Sequence, residues 1–266
     1  LSNGGYRTLG ISIEDAVATI TLNRPEVLNA MSPELLQELG QAFGQVGRDE
    51  MVKVVVITGA GRAFSAGGDA KLDLEPVSRM APFEWREYVA NFAAVIKNVM
   101  AMEKPVIAAV NGAAVGGGLD LAMACDIRIA SEKARFGQGY VGVGIIPDIG
   151  GSYLLPRLVG PGRAKLLTFT GDLIDAFEAE KIGLVEKVVP VEEFERTVKE
   201  LALRLTRGHL YTTTMLQLAI DRSLHMDLDS SLDYVSALQY SLIKTEDYRE
   251  GFTAFMEKRK PMWKSK

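Results

Sequence analysis

The sequence has few of the residues that form disulfides or bind metals. Cys125 is the single cysteine among 266 residues, and His209 and His225 are the two histidines. One thiol cannot close a disulfide within the chain, and two histidines 16 positions apart match no zinc-binding spacing. We therefore expect no disulfide framework, no bound metal and a reducing compartment, for which the cytoplasm is the default.

An excess of positive charge and a long apolar run are also missing. Lys and Arg number 30 and Asp and Glu 34, which gives a formal charge of −4 and argues against a nucleic-acid partner. The longest uncharged run lies between Lys104 and Asp120 and is shorter than the roughly 18–20 apolar residues of a membrane span. The first residues show no signal-peptide pattern, and the final Lys-Ser-Lys differs from the peroxisomal Ser-Lys-Leu. We expect no membrane segment and no targeting signal.

The remaining composition is that of a globular protein with an unusual share of glycine. Hydrophobic residues make up 47% and charged residues 24%, close to the globular average, and the length suits one large domain or one domain with an appendage. The 26 glycines gather at 59–68, 112–118, 137–151 and 160–171, where apolar runs end. Such clusters are typical of strand-to-helix turns at which the backbone closely approaches another group.

Runs of strand and helix type alternate along most of the chain. Residues 16–22, 54–58 and 105–110 are β-branched or apolar runs that predict strands, the last two buried on both faces. Ser32, followed by proline and an acidic residue, predicts the start of one helix. A second helix is predicted over 83–102.

The last quarter of the chain has helical spacing throughout. Leucines recur at helical intervals from Glu192 to Glu257. We therefore expect an α/β body of crossover units over residues 1–195 and an all-helical region over residues 196–266. This region is too short for an independent domain, and we expect it to pack on the body or on a neighbouring subunit.

Two glycine-rich loops, residues 59–69 and 111–118, follow two of the predicted strands and are built alike. In each, glycines stand where a helix is expected to begin, so N–H groups carrying partial positive charge are open. Two such N–H groups aimed at one point form an oxyanion hole, which stabilises a thioester enolate. Tight packing is the alternative explanation for either loop taken alone.

Other glycine and nucleophile motifs are absent or incomplete. Neither loop continues into the Gly-Lys-Ser/Thr of a phosphate-binding loop. Residues 137–142 spell the dinucleotide-binding Gly-x-Gly-x-x-Gly, but Pro147 follows where a helix should hold the pyrophosphate. The sequence has no Gly-x-Ser-x-Gly elbow, and both histidines fall in the helical tail. A dinucleotide cofactor and a serine nucleophile are therefore disfavoured.

Stretches along nearly the whole chain match one known family in order. They are residues 21–30, 63–69, 110–131, 135–151, 155–160, 170–185 and 254–261. On these residues the chain resembles the crotonase superfamily, the enoyl-CoA hydratase/isomerase family. The resemblance implies an α/β fold, a crotonase-like spiral of repeated ββα units, with a C-terminal all-helical oligomerisation region that builds homotrimers or hexamers. It also implies an acyl-CoA thioester substrate, so that coenzyme A is part of the substrate and is not a cofactor. The resemblance implies no metal or redox cofactor.

The resemblance also implies where the thioester binds. The backbone N–H groups of Gly68 and Gly117 would hold its oxygen. Lys71 would reach a CoA phosphate, and residues 258–260 offer a second basic stretch, for which a solvated charge run is the alternative. The residues expected to contact substrate are Ala66, Gly68, Asp69, Ala70, Lys71, Gly116, Gly117 and Tyr140.

The reaction type depends on the acid and base groups beside this oxyanion hole. Hydratases of the family place water with two glutamates, and here Asp120 stands at the first position and Tyr140 at the second. A tyrosine, with a pKa of about 10, is a poor general base at neutral pH, so ordinary hydration is disfavoured. Asp148 stands where isomerases of the family carry the acid that moves a proton along the acyl chain.

We therefore expect an enoyl-CoA double-bond isomerase, with Asp148 as base and Asp120 as a second acid/base. One alternative is hydration of a 2-enoyl, dienoyl or cyclic enoyl-CoA, with both aspartates holding the water. Another is a non-catalytic protein that binds CoA or a partner. Each aspartate has a structural alternative as a helix cap or dipole partner, and Tyr140 has one as a lining of the acyl pocket. Asp69 and Asp126 are expected to hydrogen-bond loop backbone.

Overall fold

Two sheets organise the chain in a computed structural model that describes residues 5–264, with the backbone alone at residues 73 and 74. The strands are β1 (Leu9–Glu14), β2 (Val17–Leu22), β3 (Val54–Gly59), β4 (Ala63–Ser65), β5 (Val106–Val110), β6 (Ala113–Val115), β7 (Ile127–Ser131), β8 (Arg135–Gly137), β9 (Ile174–Asp175) and β10 (Lys187–Val189). The larger sheet has the order β1-β2-β3-β5-β7-β10, and the smaller has the order β4-β6-β8-β9. Only the β1–β2 and β8–β9 pairs of these sheets, within residues 5–264, are antiparallel.

Helices connect these strands and form the end of the chain. They are α1 (Pro33–Arg48), α2 (Glu75–Val77), α3 (Pro82–Met100), α4 (Gly117–Ala124), α5 (Gly151–Val159), α6 (Pro161–Thr170), α7 (Ala176–Lys181), α8 (Val191–Thr206), α9 (Leu210–Ser223), α10 (Leu228–Leu242) and α11 (Glu246–Met256). A π-helical turn at Ala70–Leu74 leads into α2, and 3₁₀ turns lie at Pro25–Val27 and Gly139–Val143. The helical tail predicted from leucine spacing is confirmed.

A ββα unit repeats three times in succession. In β3–β4, β5–β6 and β7–β8, the first strand enters the larger sheet and the second enters the smaller one, and a helix follows each pair. Parallel pairing stacks each unit on the one before it. The predicted α/β spiral of repeated ββα units is confirmed, and its stacking brings the segments after β4, β6 and β8 to the same end of the small sheet.

The apolar runs form strands because both faces of the larger sheet are covered. Along β3, Val55 and Ile57 belong to the main core with α1, whereas Val54 and Val56 face α8 in a second core cluster. A strand covered on both faces has no need of polar alternation. Helix α1 begins where the sequence predicts, because the Ser32 side chain accepts a hydrogen bond from the Leu35 amide.

Helix α8 runs across the predicted boundary between residues 195 and 196. Its buried face, Phe194, Val198 and Ala202, packs on the larger sheet. The division into a body and a helical region stays a prediction, and α8 is continuous with the body in its packing.

The described part of the chain contains no helix that is long and apolar enough to cross a membrane. Residues 1–4 and 265–266 lie outside the described residues, and so do the expectations about targeting signals that rest on them.

Candidate active site

The two glycine loops lie against each other. Strands β4 and β6 pair in parallel, with Ala63 opposite Ala113, so the segments that follow them leave the sheet side by side. A Cβ atom on Gly118 would overlap the carbonyl oxygen of Ser65, and one on Gly67 would lie 3.2 Å from the Gly117 nitrogen. Gly67 also has a φ of +89°, which L side chains rarely adopt. Glycine is required here because the backbones touch.

The amides of Gly68 and Gly117 are open, as the oxyanion-hole hypothesis requires. Around Gly68, the Gly67 carbonyl accepts from the Met31 amide at 2.7 Å and the Asp69 amide donates to the Met31 carbonyl at 3.0 Å. Gly117 begins α4 directly after Gly116. Within residues 5–264, neither the Gly68 nor the Gly117 amide has a hydrogen-bond acceptor. Each of the two N–H groups is therefore free to bind a substrate oxygen.

An ion pair between half-buried Arg24 and buried Asp69 holds the first loop. Arg24 Nη2 lies 2.9 Å from Asp69 Oδ2, and Arg24 Nη1 donates to the Ala30 carbonyl at 2.6 Å. The other oxygen of Asp69 accepts from the Lys71 and Leu72 amides at 3.1 and 3.0 Å. Desolvation opposes ionisation of Asp69, but these hydrogen bonds and the Arg24 charge together hold its pKa below the usual value. Asp69 is thus engaged by the loop itself.

Asp120 lies in the first turn of α4 with its side chain fully buried. Its Oδ1 accepts from Gln138 Nε2 at 2.8 Å, and its Oδ2 accepts from the Tyr140 hydroxyl at 2.6 Å. Burial raises the pKa of Asp120 to about 6, against the lowering effect of Tyr140, Gln138 and the Gly151 amide. The carboxylate does not cap α4, because Gly116 is the N-cap residue. A carboxyl that titrates near neutrality can exchange protons at physiological pH.

Asp148 lies near Asp120, in the turn that precedes α5. The charge of Asp148 contributes to the raised pKa of Asp120. Asp148 is exposed, yet partial desolvation of its carboxyl raises its own pKa, against the effect of its backbone N–H. Ile149, the next residue, reaches the second loop, since its Cδ1 lies 3.0 Å from the position of a Cβ on Gly117. The segment with Asp148 therefore borders the same space as the open amides.

The other predicted contact residues are spread around this space. Ala66 and Tyr140 are half-buried, whereas Ala70 and Lys71 are exposed at the start of the π-helical turn. Of the basic stretch 258–260, Arg259 is already paired with Glu250 and Glu257.

Asp126 hydrogen-bonds backbone, as expected, at the opposite end of α4. It accepts from the Val106 amide at 2.7 Å and from the Gln217 side chain at 2.9 Å.

Two residues of this site have no predicted role. Arg24 forms the ion pair with Asp69, and Gln138 holds Asp120. Both belong to stretches that carry the family resemblance, so a role could have been sought there. Their partners, however, are 45 and 18 positions away in the chain, and single-sequence spacing gives no indication of such contacts.

Open amides beside a titratable carboxyl suit chemistry in which negative charge develops on a carbonyl oxygen while a proton moves. The chain is similar to known proteins over nearly its whole length. The enoyl-CoA hydratase/isomerase family model matches residues 12–266. The chain is 43% identical to a short-chain-enoyl-CoA hydratase of Clostridium acetobutylicum, over 93% of this chain and 94% of the relative. It is 42% identical to a crotonyl-CoA hydratase of Syntrophomonas wolfei, over 98% and 99%. A crystal structure of an enoyl-CoA hydratase from Bacillus anthracis superposes with a TM-score of 0.91 at 38% identity, over 98% of this chain and all of that one.

Proposed function

The chain belongs to the enoyl-CoA hydratase/isomerase family, and on that basis we propose that it adds water to the double bond of a 2-enoyl-CoA thioester. The observation that carries this proposal is the pair of open amides, Gly68 and Gly117, beside the buried carboxyl of Asp120. The names of the relatives favour hydration. Isomerisation is the reaction that the sequence analysis expects first, but the relatives give it no such specific support. Hydration, the alternative, fits the relatives better.

In the proposed reaction the two amides bind the thioester oxygen. As water adds to the double bond, negative charge moves onto that oxygen to give an enolate. The Gly117 amide lies at the N-terminus of α4, where the helix dipole favours negative charge. Loss of one such donor costs roughly 10²–10³ in kcat in other enzymes. The amides thus supply the electrostatic part of the catalysis.

The two aspartates supply the proton transfers. One carboxylate accepts the proton of the attacking water as the water oxygen bonds to C3, and a carboxylic acid returns a proton to C2 of the enolate. Asp120, with a pKa of about 6, is mostly ionised at neutral pH and is the proposed base toward water. Asp148, whose pKa is raised by partial desolvation, is the proposed donor to C2 when it carries a proton. Coenzyme A is part of the substrate in this scheme. The scheme needs no metal or redox cofactor, since the amides and the two aspartates supply the charge stabilisation and the proton transfers.

Double-bond isomerisation is the second candidate, and Tyr140 is the observation that favours it. Tyr140 stands where family hydratases carry their second glutamate, and its hydroxyl donates to Asp120. If Tyr140 keeps water away from Asp120, Asp148 alone would shuttle a proton between C4 and C2. The two reactions differ in their products, since hydration gains one water and isomerisation does not.

Purified protein incubated with four-carbon 2-enoyl-CoA and 3-enoyl-CoA distinguishes these reactions when the products are separated by chromatography and then weighed by mass spectrometry. The separation is needed because the two enoyl isomers have the same mass. We expect the 2-enoyl thioester to yield hydroxyacyl-CoA. Conversion of the 3-enoyl thioester into the 2-enoyl one without any hydroxyacyl product would establish isomerisation instead. Binding of both thioesters without conversion of either would favour the non-catalytic alternative.

Asp120→Asn and Asp148→Asn test the assignment of residues. Under the proposal each variant lowers kcat by about 10²-fold or more, because each removes a proton-transfer group. Asp15→Asn is the matched control, since Asp15 is exposed in the β1–β2 turn with a φ of +51° that asparagine tolerates. Unchanged turnover in both site variants would refute the assignment.

The oligomeric state and location belong to the proposal as well. Helices α9 and α10 expose large apolar side chains, including Leu216, Ile220, Leu228 and Leu232, and such a patch supports assembly into the expected trimer or hexamer. Sedimentation of the protein over a range of concentrations tests this assembly. The cytoplasmic location stays a prediction.

A further inference from the structure

Asp120 is held by two side chains from one short segment that follows β8. Gln138 donates to Oδ1 at 2.8 Å and Tyr140 donates to Oδ2 at 2.6 Å. The two donors are two positions apart in the chain and approach different oxygens of one carboxylate. With both oxygens engaged, rotation of the carboxylate about its terminal bond breaks both hydrogen bonds.

The start of α5 closes the third side of the carboxylate. A Cβ on Gly151 would overlap Asp120 Oδ1, and it would lie 3.0 Å from Gln138 Nε2. The absence of a side chain at Gly151 is therefore needed for Gln138 and Asp120 to meet.

The orientation of the Gln138 amide matches an ionised Asp120. Gln138 is fully buried, and its Oε1 has no hydrogen-bond partner within residues 5–264. Leaving a buried carbonyl oxygen without a donor is unfavourable. A reversed amide would place Oε1 against the carboxylate, so donation from Nε2 to Asp120 decides the orientation.

Tyr140 also lies against the second glycine loop. Its hydroxyl is 3.8 Å from the position of a Cβ on Gly117, and its ring is 3.8 Å from that of a Cβ on Gly116. The hydroxyl is therefore close both to the Asp120 carboxylate and to the loop with the open Gly117 amide. Glutamate, ionised at neutral pH, could not donate a hydrogen bond from this position.

We propose that Tyr140 is a positioning residue that, together with Gln138, holds the Asp120 carboxylate in one orientation beside the Gly117 amide by donating a hydrogen bond to it. The inference rests on the proposed function, in which Asp120 exchanges a proton with the substrate. Tyr140 acts through Asp120, not as a base.

The effect of this arrangement can be measured as the pKa of Asp120, because hydrogen bonds to the ionised form of a carboxyl lower its pKa. Burial raises the pKa of Asp120 to about 6, the bonds from Tyr140 and then Gln138 oppose that rise, and the Asp148 charge adds to it. Removing the Tyr140 hydroxyl leaves the burial and the Asp148 charge in place. The pKa of Asp120 must then move upward.

The experiment compares wild type, Tyr140→Phe and Tyr6→Phe after labelling aspartate side-chain carboxyls with ¹³C. The Asp120 resonance is assigned by its loss in Asp120→Asn, and its titration midpoint is measured without substrate. We expect the midpoint to rise by about one pH unit in Tyr140→Phe. Tyr6→Phe is the control, since it removes a hydroxyl that donates to Gln45 at 3.1 Å on an exposed part of the chain. Its midpoint should equal that of wild type.

Kinetics provide the second readout. The acid limb of the kcat profile should move upward with the NMR midpoint in Tyr140→Phe, with KM changed less than kcat. An Asp120 midpoint that is the same in Tyr140→Phe and wild type overturns the inference, whatever the activity. If the midpoint moves while wild type turns over no enoyl-CoA, the hydrogen-bonded arrangement stands and the proposed function fails.

Discussion

The two glycine loops present equivalent amides but are held by different forces. The loop with Gly68 is held by polar side chains, namely the Arg24–Asp69 ion pair and the amides that bond to Asp69. The loop with Gly117 is held by contact of backbone with backbone, because Gly118 lies against Ser65 and Gly67 lies against Gly117. Charge therefore positions one amide, and the absence of side chains positions the other.

Asp69 of the first loop and Asp120, in the helix that follows the second loop, differ in their pKa values. Asp69 accepts several hydrogen bonds and a cation, which lower its pKa, whereas the burial of Asp120 raises its pKa to about 6. A carboxylate held firmly in its ionised form serves structure, and one near its midpoint can exchange protons. The comparison indicates that Asp69 has a structural role in the first loop and that Asp120 is the carboxyl suited to proton exchange.

Gly118→Ala should have the largest effect of the changes that test this comparison. The added Cβ overlaps the Ser65 carbonyl oxygen, so the loops must separate, and we expect a loss of about 4 kcal/mol or more in the free energy of unfolding. Urea unfolding measures the loss. Gly40→Ala in α1, where nothing lies within 4 Å of the new Cβ, should instead stabilise by roughly 0.5–1 kcal/mol. Equal stabilities of the two variants would contradict the packing argument.

Arg24→Met should have the next largest effect. It leaves the Asp69 carboxylate without its cation. Because Arg24 is only half-buried and the Lys71 and Leu72 amides remain on Asp69, we expect the free energy of unfolding to fall by roughly 2–3 kcal/mol, at or below the cost of breaking a fully buried pair. Activity should fall as well, since the Gly68 amide is next to Asp69 in the chain. Arg7→Met is the control, because the Arg7–Glu34 pair is exposed and such pairs contribute roughly 0–1 kcal/mol. If charge holds the Gly68 loop, Arg24→Met should lose clearly more free energy of unfolding than Arg7→Met. Equal losses would contradict this explanation.

The pH dependence of the free energy of unfolding should be a smaller effect than those of Gly118→Ala and Arg24→Met. The contributions of Asp120 and Asp69 to it should have opposite signs. The folded-state pKa of Asp120 is raised, so its stabilising contribution is present below pH of about 4 and is lost as pH rises through about 6. Asp120→Asn has no such loss. Its free energy of unfolding should therefore rise by about 2 kcal/mol relative to that of wild type between pH 4 and pH 7. The folded-state pKa of Asp69 is lowered, so its contribution is present above about pH 4 and lost as pH falls further.

Urea unfolding of wild type, Asp120→Asn and Asp69→Asn at a series of pH values measures both slopes. The stability difference between variant and wild type should rise with pH for Asp120→Asn and fall with pH for Asp69→Asn. Slopes of the same sign would mean that the two loops do not differ in the way described.

Much of the fold follows from local patterns, and its exceptions have a physical cause. The runs that become β2, β3 and β5 are β-branched or apolar and lie inside the larger sheet, and α1 begins at a serine-capped proline. Strand β1 lies at the edge of that sheet and its sequence, Leu-Gly-Ile-Ser-Ile-Glu, mixes apolar with small and polar residues. An edge strand is not required to be uniformly apolar, so an apolar run does not reveal it.

The candidate site also combines features that the sequence predicts with features that it does not. The glycine clusters predict open amides, and the family resemblance assigns them to Gly68 and Gly117. The roles of Arg24 and Gln138 could not be predicted in this way, because each acts on a carboxylate far away in the chain. The hydrogen bond from Tyr140 to Asp120 likewise exists only because β6 and β8 are neighbours in the small sheet.

The amino-acid order alone set the alternation of buried strands, glycine turns and helices, since backbone freedom and apolar periodicity are properties of neighbouring residues. Tertiary packing decided which carboxylate is kept ionised and which lies near its midpoint. That choice depends on burial and on hydrogen-bond donors contributed by distant segments, and desolvation acts on a group only once the chain has closed around it.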